Sequence, residues 1–303
     1  MIAALIAAAA AAFQPQTLLT VDPKHQLIEG VATDGSKIWL SSLIDRQILA
    51  CTTSCKTLAT LPAGLHPFAI SWDASRKRLW IAADCPPGVS FIKACERGAL
   101  IGLDARGRVQ TRIAPASGAF HPGDVSTANG QLFVSDSQNG AIYRLSPNGR
   151  SLTALVAPGI GKSGQGTALD AAGKRLLVAD YSQGINVIDL DSGVRTLLPR
   201  QDGKPLRGVD GLVRCGDTWL GIYNGAAPGH LLTIKMREAG IEYGELVEDM
   251  SFPDPTQIAF DGKRLLVVAN AGWEAAMKGA TTRAEGVPIV AIPLGPDCKP
   301  LAQ

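Results

Sequence analysis

The chain has 303 residues, 46% of them apolar, and a formal net charge of +2. That length allows one large domain or two smaller ones, and the apolar share supplies a sizeable core. With 29 basic residues balanced by 27 acidic ones and no long Lys/Arg run, neither a nucleic-acid surface nor a membrane-surface patch organises this protein.

Residues 1–12 are Ala, Ile and Leu after an initial Met. The stretch is too short to cross a bilayer. It has the length of a secretory signal's apolar core, and Ala10-Ala11-Ala12 offers small residues for cleavage, although no basic segment precedes it. The expectation is an exported protein, periplasmic or secreted, with a signal over 1–12 and one domain over 13–303.

A repeated unit then begins. Glu29-Gly30-Val31-Ala32, His66-Pro67-Phe68-Ala69-Ile70, His121-Pro122-Gly123-Asp124-Val125, Gln165-Gly166-Thr167-Ala168-Leu169, Val209-Asp210-Gly211-Leu212 and Pro255-Thr256-Gln257-Ile258-Ala259-Phe260 are six entries into apolar runs. They recur about every 40 to 55 residues, the period of a four-stranded propeller blade. After each entry come a polar turn and a second apolar run. Ile38-Trp39-Leu40, Leu79-Trp80-Ile81, Leu132-Phe133-Val134, Leu176-Leu177-Val178 and Leu265-Leu266-Val267-Val268 are clear cases. Turns such as Asp34-Gly35 and Asn129-Gly130 suit tight hairpins. The reading is an all-β, six-bladed β-propeller. Residues 17–21 are expected to complete the last blade, because a ring must close or leave an open edge. Residues 85–98 and 271–286 read as long loops, the second carrying Trp273 and Met277 over a cleft.

Six cysteines permit 15 pairings. The economical arrangement is Cys51–Cys55, Cys85–Cys95 and a long-range Cys215–Cys298 bridge, which suits an oxidising compartment. Cys-x3-Cys without a nearby second pair or His is poor zinc spacing.

In a propeller the six entries meet at one face of a central channel. Glu29, Asp124, Gln165, Asp210 and Gln257 would then converge. Carboxylates brought together repel unless a cation or protons intervene, and a hard divalent ion such as Ca2+ takes oxygen ligands. The plainer account of each residue singly is a turn or strand cap. Asp84, Asp136, Asp180, Asn224 and Asn270 end the second strands at the same face and offer an outer polar tier. His66 and His121 precede prolines at two entries, where either could exchange protons near neutral pH or simply shape a turn. No Gly-x-Ser-x-Gly elbow is present.

Glu29-Gly30, Gln165-Gly166, Asp210-Gly211-Leu212 and the 255–260 entry resemble the blade entries of the gluconolactonase–regucalcin family, as a divergent exported branch of it. The resemblance implies one divalent ion held by Glu29, Gln165 and Asp210, with Asp210 also the base in lactone hydrolysis. Asp124 would then lie on the substrate side, and by their positions in the repeat Asn224, His66 and His121 are further candidates to line the substrate. Three departures stand out: Gln165 replaces an Asn, Gly123-Asp124-Val125 lacks the family's Asn, and Phe68 stands where paraoxonase-type propellers place a histidine. Two functions follow as expectations. One is a metal-dependent hydrolase of a lactone or small ester, monomeric and acting on small molecules. The other is a non-catalytic exported propeller that binds a ligand or partner around a structural ion.

Overall fold

The computed structural model describes residues 15–280 and 282–301. The proposed signal at 1–12 lies outside the described residues. Six antiparallel sheets stand around one axis. Blade 1 comprises Ile28–Thr33, Ile38–Ser42, Gln47–Cys51 and Cys55–Thr60. Blade 2 comprises His66–Asp73, Arg78–Asp84, Ala99–Leu103 and Val109–Ile113. Pro122–Ala128, Gln131–Asp136, Ile142–Leu145 and Leu152–Val156 make blade 3. Gly164–Leu169, Arg175–Asp180, Gly184–Asp189 and Arg195–Leu197 make blade 4. Blade 5 has Val209–Cys215, Thr218–Tyr223, Gly229–Arg237 and Gly240–Glu245, with Ser251–Phe252 pairing its third strand. In blade 6, Ile258–Phe260, Arg264–Val268 and Val287–Pro293 come from the end of the chain. Gln16–Val21 pairs with Val287–Pro293 as that blade's outer strand. Each innermost strand touches the innermost strands of both neighbouring blades, and blade 6 touches blade 1.

Burial follows position within the blade. The second strands are buried on both faces, which is why they read as continuous apolar runs. The outer strands Cys55–Thr60 and Val109–Ile113 face solvent and are mostly polar. The first hairpin is built alike in blades 1, 2, 4 and 6. An Asp ending the inner strand accepts backbone N–H groups from the turn: Asp34 from Ser36 and Lys37, Asp73 from Arg76, Asp170 from Lys174 and Arg175, Asp261 from Lys263 and Arg264. Such local bonds are what make Asp a turn former.

The inner strands crowd the axis, and this explains the glycine after Glu29 and after Gln165. A Cβ on Gly30 would lie 2.6 Å from the Phe68 carbonyl oxygen of blade 2. One on Gly166 would lie 2.5 Å from both the Asp210 carbonyl oxygen and the Leu212 nitrogen of blade 5. Only a hydrogen fits at these two positions, where one inner strand packs directly on the backbone of another blade's inner strand.

Cys51–Cys55, Cys85–Cys95 and Cys215–Cys298 are all bonded, as the spacing suggested. The third fastens the C-terminal tail to blade 5. The single short helix among the described residues is Trp273–Met277. No helix among them is long and apolar enough to cross a membrane.

Candidate functional site

The inner strands begin at one face and deliver four carboxylates to it. Glu29 and Asp124 are 9% and 5% exposed. Asp210, on Val209–Cys215, keeps a partly exposed edge, and Asp254 precedes the blade 6 strand. Burial pushes Glu29 well above the usual carboxylate range, and the charges of Asp210, Asp254 and Asp124 push the same way. Asp124 is pushed up to about 7 by burial, and Asp210 adds to the shift. Asp210 is likewise raised to about 7 by burial, with Asp254 contributing. These charge effects link the four in one electrostatic cluster. Among the described residues, no Lys or Arg forms an ion pair with any of them.

Amides and an indole fill in around the acids. Asn224, just after the second strand of blade 5, donates through Nδ2 to Asp210 Oδ2 at 2.9 Å and to the Pro255 carbonyl at 3.0 Å. Two acceptors on one side fix the amide's orientation, and Oδ1 is left buried without a partner. Gln257 donates to Asp124. Gln165 Oε1 lies beside Gly123, where a Cβ would approach it to 3.2 Å. Trp273 Nε1 donates to Glu29 Oε2 at 2.5 Å. Asp254 Oδ2 accepts the backbone N–H groups of Gly272 and Trp273 at 2.8 and 2.5 Å. Tyr181 donates its hydroxyl to the Asn224 carbonyl at 3.3 Å. A channel of about 230 Å³ runs between the inner strands of all six blades, with Asp124 and Gln257 in its wall.

The expected site residues divide. Glu29, Asp124 and Asp210 share the channel face, and Asn224 turns inward to Asp210. The outer tier resolves differently. Asp136 takes backbone N–H groups from His121, Gln138 and Asn139. Asp180 takes those of Lys162, Ser163, Ser182 and Gln183, plus an ion pair with Arg195. These two are strand caps with their oxygens already engaged. His66 holds the Leu43 carbonyl through Nδ1 at 2.8 Å, and burial lowers its pKa. His121 Nδ1 meets Asp84 Oδ1 at 3.0 Å, so this histidine joins blades 2 and 3. Burial raises Asp84 to about 6 against the pull of backbone Cys85 and His121.

Asp254 and the indole of Trp273 are the members that sequence reasoning did not assign to the cluster. Their signal is slight: an acid one residue before the Pro255-Thr256-Gln257 entry, and a tryptophan in a long loop on the same face.

A divalent ion can be tested against this donor set. No three Asp, Glu, His or Cys side chains among the described residues are arranged as an ion cage. The expected set includes only two such residues, its third donor being an amide oxygen. Asn224 Oδ1 is an amide oxygen left buried without a partner, although the amide meets Asp210 through Nδ2, and among the described residues no Lys or Arg pairs with the acids. The chemistry of the donors therefore fits a hard cation.

Neither a family model nor a curated relative matches the sequence. Solved structures share the fold. A gluconolactonase from Xanthomonas campestris is 16% identical over 89% of this chain and 88% of its own, with a TM-score of 0.60. Regucalcin from Agrobacterium tumefaciens, a calcium-binding protein, is 17% identical over 94% and 96%, with a TM-score of 0.58. A PQQ-bound aldose sugar dehydrogenase from Streptomyces coelicolor is 13% identical over 93% and 99%, with a TM-score of 0.61. At such identities the likeness establishes the propeller and leaves the chemistry to the residues.

Proposed function

We propose that this protein is an exported, monomeric hydrolase of a lactone or small ester that uses a divalent cation, Ca2+ by its donor chemistry, at the channel face. One observation supports the reading: burial raises Glu29, Asp124 and Asp210, the charge of Asp210 adds to the shifts of Glu29 and Asp124, and no Lys or Arg among the described residues forms an ion pair with any of them. Glu29, Gln165 and Asp210 would hold the ion, with Asn224 orienting Asp210 through its Nδ2. When bound, a divalent ion supplies Lewis-acid polarisation of a carbonyl.

The chain's own residues supply the rest. Burial raises Asp210 to about 7 in the ion-free chain, and beside a bound ion it would stay ionised and so able to accept a proton near neutral pH. It takes a proton from water as the water oxygen adds to the acyl carbon. Collapse breaks the acyl–oxygen bond, and the same proton passes to the leaving oxygen. Asn224 positions Asp210 by bonding Oδ2. Trp273 and the covered entry limit competing water around Glu29. The three disulfides suit an oxidising compartment.

The test is turnover of a lactone and ester panel by native protein, with and without chelator. Asp210→Asn should abolish chelator-sensitive turnover while retaining the fold. Turnover that ignores both chelator and the substitution removes the ion and the base from the mechanism. Asp210→Asn that only lowers the melting temperature in calcium, in a protein with no turnover, favours a structural ion in a binding propeller.

A further inference from the structure

Two long loops share the face where the acids lie. Residues 85–98 join the second and third strands of blade 2, and residues 271–286 join those of blade 6. Blade 1 stands between blades 6 and 2 in the ring. The loops therefore reach toward each other over the entry that carries Glu29. Their meeting is aromatic. The Trp273 ring lies 6.3 Å, centroid to centroid, from Phe91 of the blade 2 loop and 6.3 Å from Phe68 of the blade 2 entry. All three side chains are half-buried.

The orientation of Trp273 is fixed at both ends. Its indole N–H is committed to Glu29 Oε2, and its backbone N–H to Asp254. Its polar edge thus faces the carboxylates, and its apolar body faces Phe68 and Phe91. The Phe91 loop is closed on itself by Cys85–Cys95, so it presents its ring from a tethered segment. Val89 and Ile92 anchor that loop to the core beneath.

We infer that Phe68, Phe91 and Trp273 form the specificity wall of the site, and that its substrate is a lactone or ester bearing an aryl or alkyl group. The inference rests on the hydrolase reading for the reaction, but the wall is independent of it. A polyhydroxylated sugar lactone needs fixed donors and acceptors around its ring. The three rings offer one N–H between them, that of Trp273, and Glu29 already holds it. An unpaired hydroxyl facing such a wall loses its hydrogen bonds to water. An aryl or alkyl group instead removes apolar surface from water and stacks on the rings. The absence of a basic partner at the cluster also disfavours a substrate with its own carboxylate or phosphate.

The experiment compares kcat/KM of the native protein for phenyl acetate, a γ-alkyl lactone and glucono-δ-lactone, then repeats it with Phe91→Leu and Phe91→Ala. Melting curves check that both variants fold; Phe91→Leu keeps apolar volume if Phe91→Ala does not. The expected result is at least a tenfold preference for the apolar substrates. Phe91→Ala should raise their KM about five- to tenfold with little change in kcat, and leave glucono-δ-lactone unaffected. Equal or greater turnover of glucono-δ-lactone, or a Phe91 effect common to all three, overturns the wall and leaves the hydrolase standing. If nothing turns over, binding of phenylacetamide is followed by titration calorimetry in native protein and Phe91→Ala. Binding lost in the variant supports the wall while sinking the hydrolase; binding unchanged in the variant, or absent from native protein, sinks both.

Discussion

Raising the pH should destabilise the metal-free protein over a window where most proteins change little. Asp124 and Asp210 are each raised to about 7, from an ordinary value near 4, mainly because burial disfavours their charged forms. A carboxyl raised in the folded state contributes its stability below the ordinary value. That contribution is lost as pH climbs through about 7. Between about pH 5 and about pH 8 some two of the three units are lost, about 3 kcal/mol for one group. Part of the shift on Asp124 is the charge of Asp210, so the two losses overlap and do not simply add. At about 2 °C per kcal/mol for a domain of this size, the melting temperature should fall by roughly 6 °C or more. The paired carboxylates act elsewhere. Asp73, Asp170 and Asp261 would be raised by burial, but their hydrogen bonds outweigh it and hold them low. Their contribution is lost only as pH falls below about 4. Calcium should reverse the trend. A ligand at about a thousand times its Kd adds about 4 kcal/mol, and competition with protons makes its effect larger at high pH. Scanning calorimetry in chelator and in calcium, at about pH 5 and about pH 8, reads all of this. Equal melting temperatures at both pH values in chelator, or a larger calcium effect at pH 5, would refute the reasoning.

Three further outcomes follow from the geometry. Replacing Cys215 and Cys298 by Ser opens a connection spanning 83 residues, worth about 4.5 kcal/mol of unfolded-state entropy, whereas Cys51–Cys55 spans only 4 and is worth about 2; denaturant titration of the two double variants should rank them in that order. Gly166→Ala drives a Cβ to 2.5 Å from backbone atoms of blade 5 and should cost about 3 kcal/mol, while Gly244→Ala, with its nearest neighbour at 3.8 Å, should cost under about 1. Trp273→Phe deletes the indole donor to Glu29, costing about 2 kcal/mol, and should abolish any calcium-induced change in tryptophan fluorescence if that signal arises at the site.

The blades were legible because period and burial act locally. Leu79-Trp80-Ile81 reads as a doubly buried strand from the sequence alone, and it lies within Arg78–Asp84. Glu29, Asp124 and Asp210 were legible as entry residues because each begins or opens an inner strand. Other roles depend on partners far away in the chain. Nothing near Asn224 announces that the Pro255 carbonyl of the next blade will turn its amide. Asp254 reads as a residue before a proline until the Gly272 and Trp273 amides reach it from the other end of a loop. His66 and His121 share a His-Pro motif, yet one meets a carbonyl and the other a carboxylate of a neighbouring blade. Sequence spacing marks Asn224, His66 and His121 as strand-end and entry residues, and long-range contacts decide where their polar atoms go.

The same molecule supplies its own control for the candidate site. Asp136 and Asp180 are buried acids at the channel face, near Asp124, which is buried and takes the Val125 N–H, and the partly exposed Asp210. Each is saturated: Asp136 by three backbone N–H groups and the Asn139 amide, Asp180 by four backbone N–H groups and Arg195. This fold can therefore satisfy a buried carboxylate where structure alone requires one. Asp210 receives one side-chain bond, from Asn224, and lies instead among further acids. A group needed only to cap a strand would have drawn N–H donors like its neighbours. The unmet negative charge around Glu29 and Asp210 is thus a property of these positions rather than of the propeller, and it calls for a cation or a working proton.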